Sequence, residues 1–159
     1  MLLKFRVNLM ESTVQALDRI ADRAATRRKT APAPHLKTGI EGERVAFFWL
    51  MRRGYVVVAR DWHSSRAPGD LDLIAWQGQT LCFVEVKTRT TRAVAPAQMA
   101  VDYRKRRVLR RLARHYMRQL PNREVDTRFD ILSIYFERDK PTDFEHFPAA
   151  FSWAEVEQR

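Results

Sequence analysis

Four side chains in this 159-residue sequence have the types and spacing of a hydrolytic site. Glu85-Val86-Lys87 lies inside an apolar run. Residues two apart on a strand share a face, so Glu85 and Lys87 project together, behind Leu81 and Phe83. A carboxylate and an ammonium in mid-sheet are costly unless they are paired or used. Asp70-Leu-Asp72-Leu73 heads the preceding strand, and Gly78 marks the turn between the two. That register sets Asp72 near Glu85 across the ladder. Two such carboxylates repel unless a cation lies between them, and a hard divalent ion with oxygen ligands suits that position. Lys87 would then hold a phosphate, or orient or help deprotonate an attacking water. Glu43 shares a helix face with Phe47 and Leu50, an anomalous place for an acid unless the helix delivers it to the same site. Each feature alone has a plainer explanation. A single Glu-x-Lys is more often a surface ion pair, Asp70 and Asp72 suit a hairpin edge, and Glu43 suits a helix start paired with Lys37 or Arg44. It is their order along the chain that is specific.

The elements that must position these groups follow from periodicity. Residues 39–53 read as a helix, closed by Arg52, Arg53 and Gly54. Tyr55–Ala59 is β-branched and apolar, a buried strand. Residues 61–69 read as a polar loop. Asp70–Trp76 alternates with period two, Gln77–Thr80 is a turn, and Leu81–Arg89 is the next strand, with Cys82, Val84 and Val86 as its better core face. Val108, Leu109, Leu112, Tyr116, Met117 and Leu120 trace a helix over 103–120. Arg128–Phe136 is a further strand, and 137–159 reads as a mildly acidic tail. The expected class is α/β, a mixed sheet of four or five strands flanked by helices.

Composition narrows the setting. The chain has 29 Lys plus Arg against 19 Asp plus Glu, a net +10. That balance favours nucleic acid or an anionic surface as partner. Residues 101–124 alone carry 9 basic and 2 acidic side chains, +7. The single cysteine, Cys82, excludes a disulfide framework and a thiolate-rich zinc site. No apolar run reaches the ~18 residues of a membrane span, and no leader peptide is read at the start, so a cytoplasmic protein without a membrane role is expected. Residues 1–37 read as a basic extension, a helix plus a Pro/Ala linker or a partly disordered arm. Phosphate-loop and serine-elbow motifs are absent, and the four histidines lack zinc spacing.

The order Glu on a helix, Asp on a strand, Glu-x-Lys on the next strand resembles the PD-(D/E)xK nuclease superfamily, with its restriction-endonuclease-like fold. Residues 38–151 more closely resemble the bacterial YraN-like family. The segments carrying that likeness are Gly39-Ile-Glu-Gly-Glu43, Arg53-Gly-Tyr55, Gly69–Ala75, Phe83–Arg89, Ala100–Lys105, Arg128-Phe-Asp130 and Glu145–Phe151. Residues 152–159 form a tail beyond it. By position, the resemblance makes Asp72, Glu85 and Lys87 the superfamily's strand Asp and (D/E)xK pair, and Glu43 its helix-borne acid. It implies a nuclease with Mg²⁺ or Mn²⁺ held by Asp72, Glu85 and Glu43, hydrolysing DNA, with branched or damaged DNA as candidate substrates. Where that family usually has Gly-Glu-Ile-Asp, this chain has Gly69-Asp-Leu-Asp72, and its loop before Gly69 looks longer. Arg89, Lys105, Arg106, Arg107 and Arg110 are the expected nucleic-acid contacts, positioning phosphates without reading sequence. Trp62 and His63 precede Asp72, where a Trp more often covers a core edge than stacks on a base. Resolvase-like relatives suggest a homodimer. The alternatives are a binding module without catalysis and a scaffold that meets an acidic protein.

Overall fold

The computed structural model describes residues 34–92, 101–121 and 124–154. The expectations for residues 1–33 and for the tail end 155–159 lie outside the described residues.

Helix α1 is Pro34–Arg52 and helix α2 is Tyr103–Met117. The strands are β1 Val56–Ser64, β2 Ala67–Gln77, β3 Thr80–Arg89, β4 Thr127–Tyr135 and β5 Asp143–Phe151. They form one mixed sheet in sequence order, antiparallel except for the parallel pair β3–β4, which α2 connects. Among the described residues no helix is long and apolar enough to cross a membrane.

Both faces of the sheet are covered. Cys82, Val84 and Val86 pack with Leu73, Ile134 and α1 residues Ala46, Trp49 and Leu50. Leu81 and Phe83, on the other face, pack with Phe129, Ile131 and α2 residues Leu109, Leu112 and Ala113. Residues 81–86 are therefore buried without alternation. A strand with helices on both sides reads as a continuous apolar run for this reason.

Four boundaries differ from the sequence expectation. Helix α1 starts at Pro34, so the expected domain start at residue 38 falls inside it. Proline is tolerated there because the first helical N–H has no partner to lose. Residues 61–64, expected as loop, continue β1, and β2 begins at Ala67. These residues are polar because β1 is a solvent-facing edge strand. β5 lies where a tail was expected. Its Pro148 is acceptable because an edge strand has N–H groups that owe no ladder bond. Helix α2 stops at Met117, before Leu120.

Two glycines permit the packing. A Cβ on Gly42 would lie 2.0 Å from Thr88 Oγ1, so the absence of a side chain sets how closely α1 approaches β3. Gly69 has φ +96°, and a Cβ there would lie 2.8 Å from Val108 Cγ1, where α2 crosses β2.

Candidate active site

The β2–β3 ladder registers Leu73 with Val84 through Gln77 with Thr80. Upstream of Leu73, β2 stays paired with β1 as far as Ala67. The two central strands thus part company at Asp72, and its side chain fills the gap. Asp72 Oδ2 accepts from the Val86 N–H at 2.7 Å, in place of a backbone carbonyl. Helix α2 runs along the diverging β1–β2 arm. Lys105 meets Asp70, Val108 and Leu112 meet Gly69, Arg111 donates to the Arg66 carbonyl, and His115 meets Ser64 Oγ at 3.0 Å.

Glu85 projects on the α2 face and is only 3% exposed. Its Oε1 receives Lys87 Nζ at 2.8 Å and Lys105 Nζ at 3.1 Å. Its Oε2 is buried and, among the described residues, has no hydrogen-bond partner. Lys105 Nζ also lies 3.6 Å from Asp70 Oδ1. Two ammonium groups on one carboxylate oxygen, with the other oxygen bare, is an uneven arrangement. A buried acceptor left unmatched costs about 1–3 kcal/mol, so it is retained for a reason other than packing.

The electrostatics agree with that geometry. Burial first, and then the charge of Glu85, push the Asp72 carboxyl up from 3.8 to about 7, against the opposing Val86 N–H and Lys105. Glu43 is also raised, by burial and then by Asp61 and Asp70, with Glu85 adding to the effect and Arg60 opposing it. Burial pulls the Lys105 ammonium down, but Glu85, Asp72 and Asp70 together outweigh it and the net shift is upward. The acids are thus under-compensated and the cation among them is held charged. Asp72 and Glu85 offer the hard oxygen donors that Mg²⁺ or Mn²⁺ prefers, and the bare Oε2 is a free ligand atom. Glu43 stands near enough to feel the same charges.

The expected residues are distributed as follows. Asp72, Glu85 and Lys87 meet where the central strands diverge, and Glu43 approaches from α1. Lys105, expected among the nucleic-acid contacts, instead reaches Glu85 and Asp70. Arg110 is buried and donates to the Ser152 carbonyl, Arg106 donates to the Val101 carbonyl, and Arg107 is exposed. Arg89 is half-buried opposite Tyr135, and among the described residues no carboxylate bonds to it. Trp62 packs edge-on against Tyr116 at 5.4 Å and covers the core edge. His63 is exposed beside Asp61, and with Asp70 these bring ligand atoms within 4.8 Å of one another. Lys105 is the member of the site that sequence spacing missed. The signal available was its position at the third residue of α2, after the Asp102 cap.

A five-stranded mixed sheet between helices, with its acids at the point where two central strands separate, is consistent with a restriction-endonuclease-like fold. The chain belongs to the family described as Uncharacterised protein family UPF0102, whose model matches residues 42–134. It is 52% identical over 107 residues to the UPF0102 protein of Koribacter versatilis, covering 67% of this chain and 74% of that one. It is 40% identical over 121 residues to a UPF0102 protein of Solibacter usitatus, covering 76% and 88%. A UPF0102 protein of Chlorobium limicola is 37% identical over 128 residues, covering 77% and 96%.

Proposed function

We propose that this chain is a metal-dependent nuclease of the PD-(D/E)xK superfamily, hydrolysing phosphodiester bonds in DNA. The observation that supports it best is Glu85: buried, with Lys87 and Lys105 on one oxygen and no donor among the described residues on the other, beside an Asp72 that favours its proton. A packing role would have matched that oxygen with a donor. Asp72 and Glu85 would hold Mg²⁺ or Mn²⁺, with Glu43 assisting. The ion supplies Lewis acidity toward a phosphoryl oxygen and makes a bound water a better nucleophile.

The chain's own groups do the rest. Lys87 is partly exposed and reaches outward from β3, so its ammonium faces an incoming phosphate and stabilises the charge that grows on it. Its contact with Glu85 Oε1 fixes its direction in advance. The Val86 N–H favours the ionised form of Asp72 and offsets part of the upward push from burial and Glu85. The exposed Arg107 on α2 supplies a phosphate contact outside the centre. Basic charge alone would equally support a binding module, but a pure binder gains nothing from carboxylates facing phosphates.

The test is cleavage of a labelled panel of single strand, duplex, flap, four-way junction and RNA, with Mg²⁺, Mn²⁺ or EDTA. Metal-dependent cutting that disappears in Asp72→Ala and Lys87→Ala is expected. Salt-sensitive binding without any cutting would overturn the nuclease in favour of a binding module.

A further inference from the structure

Helix α2 presents Arg104, Arg107, Arg111 and Arg114 to solvent along one face. Their spacing of three, four and three residues makes each the neighbour of the next on the helix surface. Like charges so placed destabilise a helix. Among the described residues no carboxylate pairs with any of the four. Arg111 donates only to the Arg66 carbonyl. Among the described residues nothing therefore neutralises this row of repelling charges.

The row lines a cleft of about 610 Å³, together with Val108, Arg110 and Trp153. Trp153 is fixed in orientation. Its Nε1 donates to Thr127 Oγ1 at 2.8 Å, and its ring meets Phe83 and Phe129 edge to face. Arg114 lies over the ring, 5.6 Å from its centroid. A concave, cationic cleft with an oriented aromatic plane differs from the flat basic patch that meets a duplex. A cleft of this volume has room for about one or two nucleotides of a flexible strand. Arginines that track a backbone, with an aromatic ring on which a base stacks, are the elements of single-strand recognition.

We propose that this cleft binds a single-stranded nucleic-acid segment, its phosphates along Arg104, Arg107, Arg111 and Arg114 and a base against Trp153. Arg104 to Arg114 spans about 15 Å of helix, and Lys105 at the same end of α2 touches Glu85. The Arg104 end of the cleft is thus at the end of α2 that meets the carboxylate centre through Lys105. The choice of nucleic acid as occupant rests on the nuclease proposal, and it narrows that proposal's substrate to one with an unpaired strand next to the scissile bond.

The experiment is fluorescence anisotropy with a labelled single-stranded oligonucleotide and its blunt duplex, in EDTA across a salt series. The proteins are the full chain, the double variant Arg107→Gln/Arg111→Gln, and Trp153→Phe. The single strand should bind more tightly than the duplex. The double variant should weaken single-strand binding at least tenfold. It should also reduce the log–log salt slope by about 1.4, because each neutralised phosphate of a single strand contributes ~0.7. Trp153→Phe keeps an aromatic ring but loses the bond to Thr127, and should weaken single-strand binding several-fold without changing the slope. Equal single-strand affinity in the double variant and the parent overturns the proposal, as does stronger binding to anionic vesicles than to the oligonucleotide. Cleavage by the parent protein, measured in parallel, reports the nuclease separately. Cutting with unchanged binding in the variants removes only the cleft, and specific single-strand binding without cutting removes only the nuclease.

Discussion

Asp72→Asn should stabilise this protein at alkaline pH while destroying its proposed chemistry. Folded, Asp72 keeps its proton to about 7, whereas 3.8 is its ordinary value. The folded state therefore holds a proton that the unfolded chain releases. The stability linked to that proton is fully present below about pH 4 and is lost as pH rises through about 7. At about 1.4 kcal/mol per unit, ionising Asp72 in the folded state costs up to roughly 4 kcal/mol. Asparagine retains an oxygen to accept the Val86 N–H and carries no charge to repel Glu85. It forfeits the attraction of Lys105, which offsets part of the gain. The expected net gain at pH 8 is about 1–3 kcal/mol, or roughly 3–9 °C in Tm for a chain of this size. The assay is thermal unfolding of both proteins in EDTA at pH 4.5 and pH 8. The variant's advantage should be present at pH 8 and nearly gone at pH 4.5. Adding Mg²⁺ should raise the Tm of the parent and leave Asp72→Asn unmoved, since only a ligand bound by the native state stabilises it. An Asn variant no more stable than the parent at pH 8 would refute the claim that Asp72 and Glu85 are held together against repulsion.

Three further outcomes follow from the packing and the buried charges. Gly42→Ala should cost about 1–3 kcal/mol in urea unfolding, because its Cβ meets Thr88 Oγ1 at 2.0 Å, and Thr88→Ala in the same chain should restore much of the loss. Asp130 is fully buried and bonded to Arg128, His146 and the Ala149 N–H, so Asp130→Ala should cost about 3–5 kcal/mol by the same measurement. Burial opposes the ionised form of Asp130, but His146, Arg128 and Ala149 outweigh it and hold its pKa below 3.8. That stability is present above about pH 4 and lost as pH falls through the folded value, so an acid-unfolding titration of the parent should steepen there and that of Asp130→Ala should not. Lys105→Met leaves Glu85 with one cation instead of two. It should lower the Tm in EDTA and enlarge the rise produced by Mg²⁺.

The legibility of this fold tracks how local its signals are. The β2–β3 hairpin was readable because Gly78 marks the turn and period-two alternation sets the register, and those two facts also place Asp72 near Glu85. Helix α2 was readable from its apolar stripe. β5 was hidden because Pro148 and the polar residues around it argue against a strand, and only the place of β5 at the exposed edge of the sheet makes them acceptable. The continuation of β1 through Ser64 was hidden for the same reason, since an edge strand's polar residues look like a loop. Both faces of β3 turned out to be covered, because helix packing onto Leu81 and Phe83 leaves no mark in strand periodicity. Lys105 joins Glu85 through that same packing. Its membership depends on Gly69 letting α2 approach β2, a contact that no local pattern announces. The distinction between the buried Arg110 and the exposed Arg107 likewise needed the helix to be docked.

One paired measurement separates the metal-holding role proposed for Asp72 and Glu85 from the phosphate role proposed for Lys87. Mn²⁺ binding by electron paramagnetic resonance and single-turnover cleavage would be recorded on the same samples of parent, Glu85→Gln and Lys87→Met. The expected result is that Glu85→Gln loses both binding and cutting, whereas Lys87→Met binds Mn²⁺ like the parent and cuts at least a hundredfold more slowly. Parent-like Mn²⁺ binding in Glu85→Gln would overturn the metal role, and parent-like cutting in Lys87→Met would overturn the phosphate role.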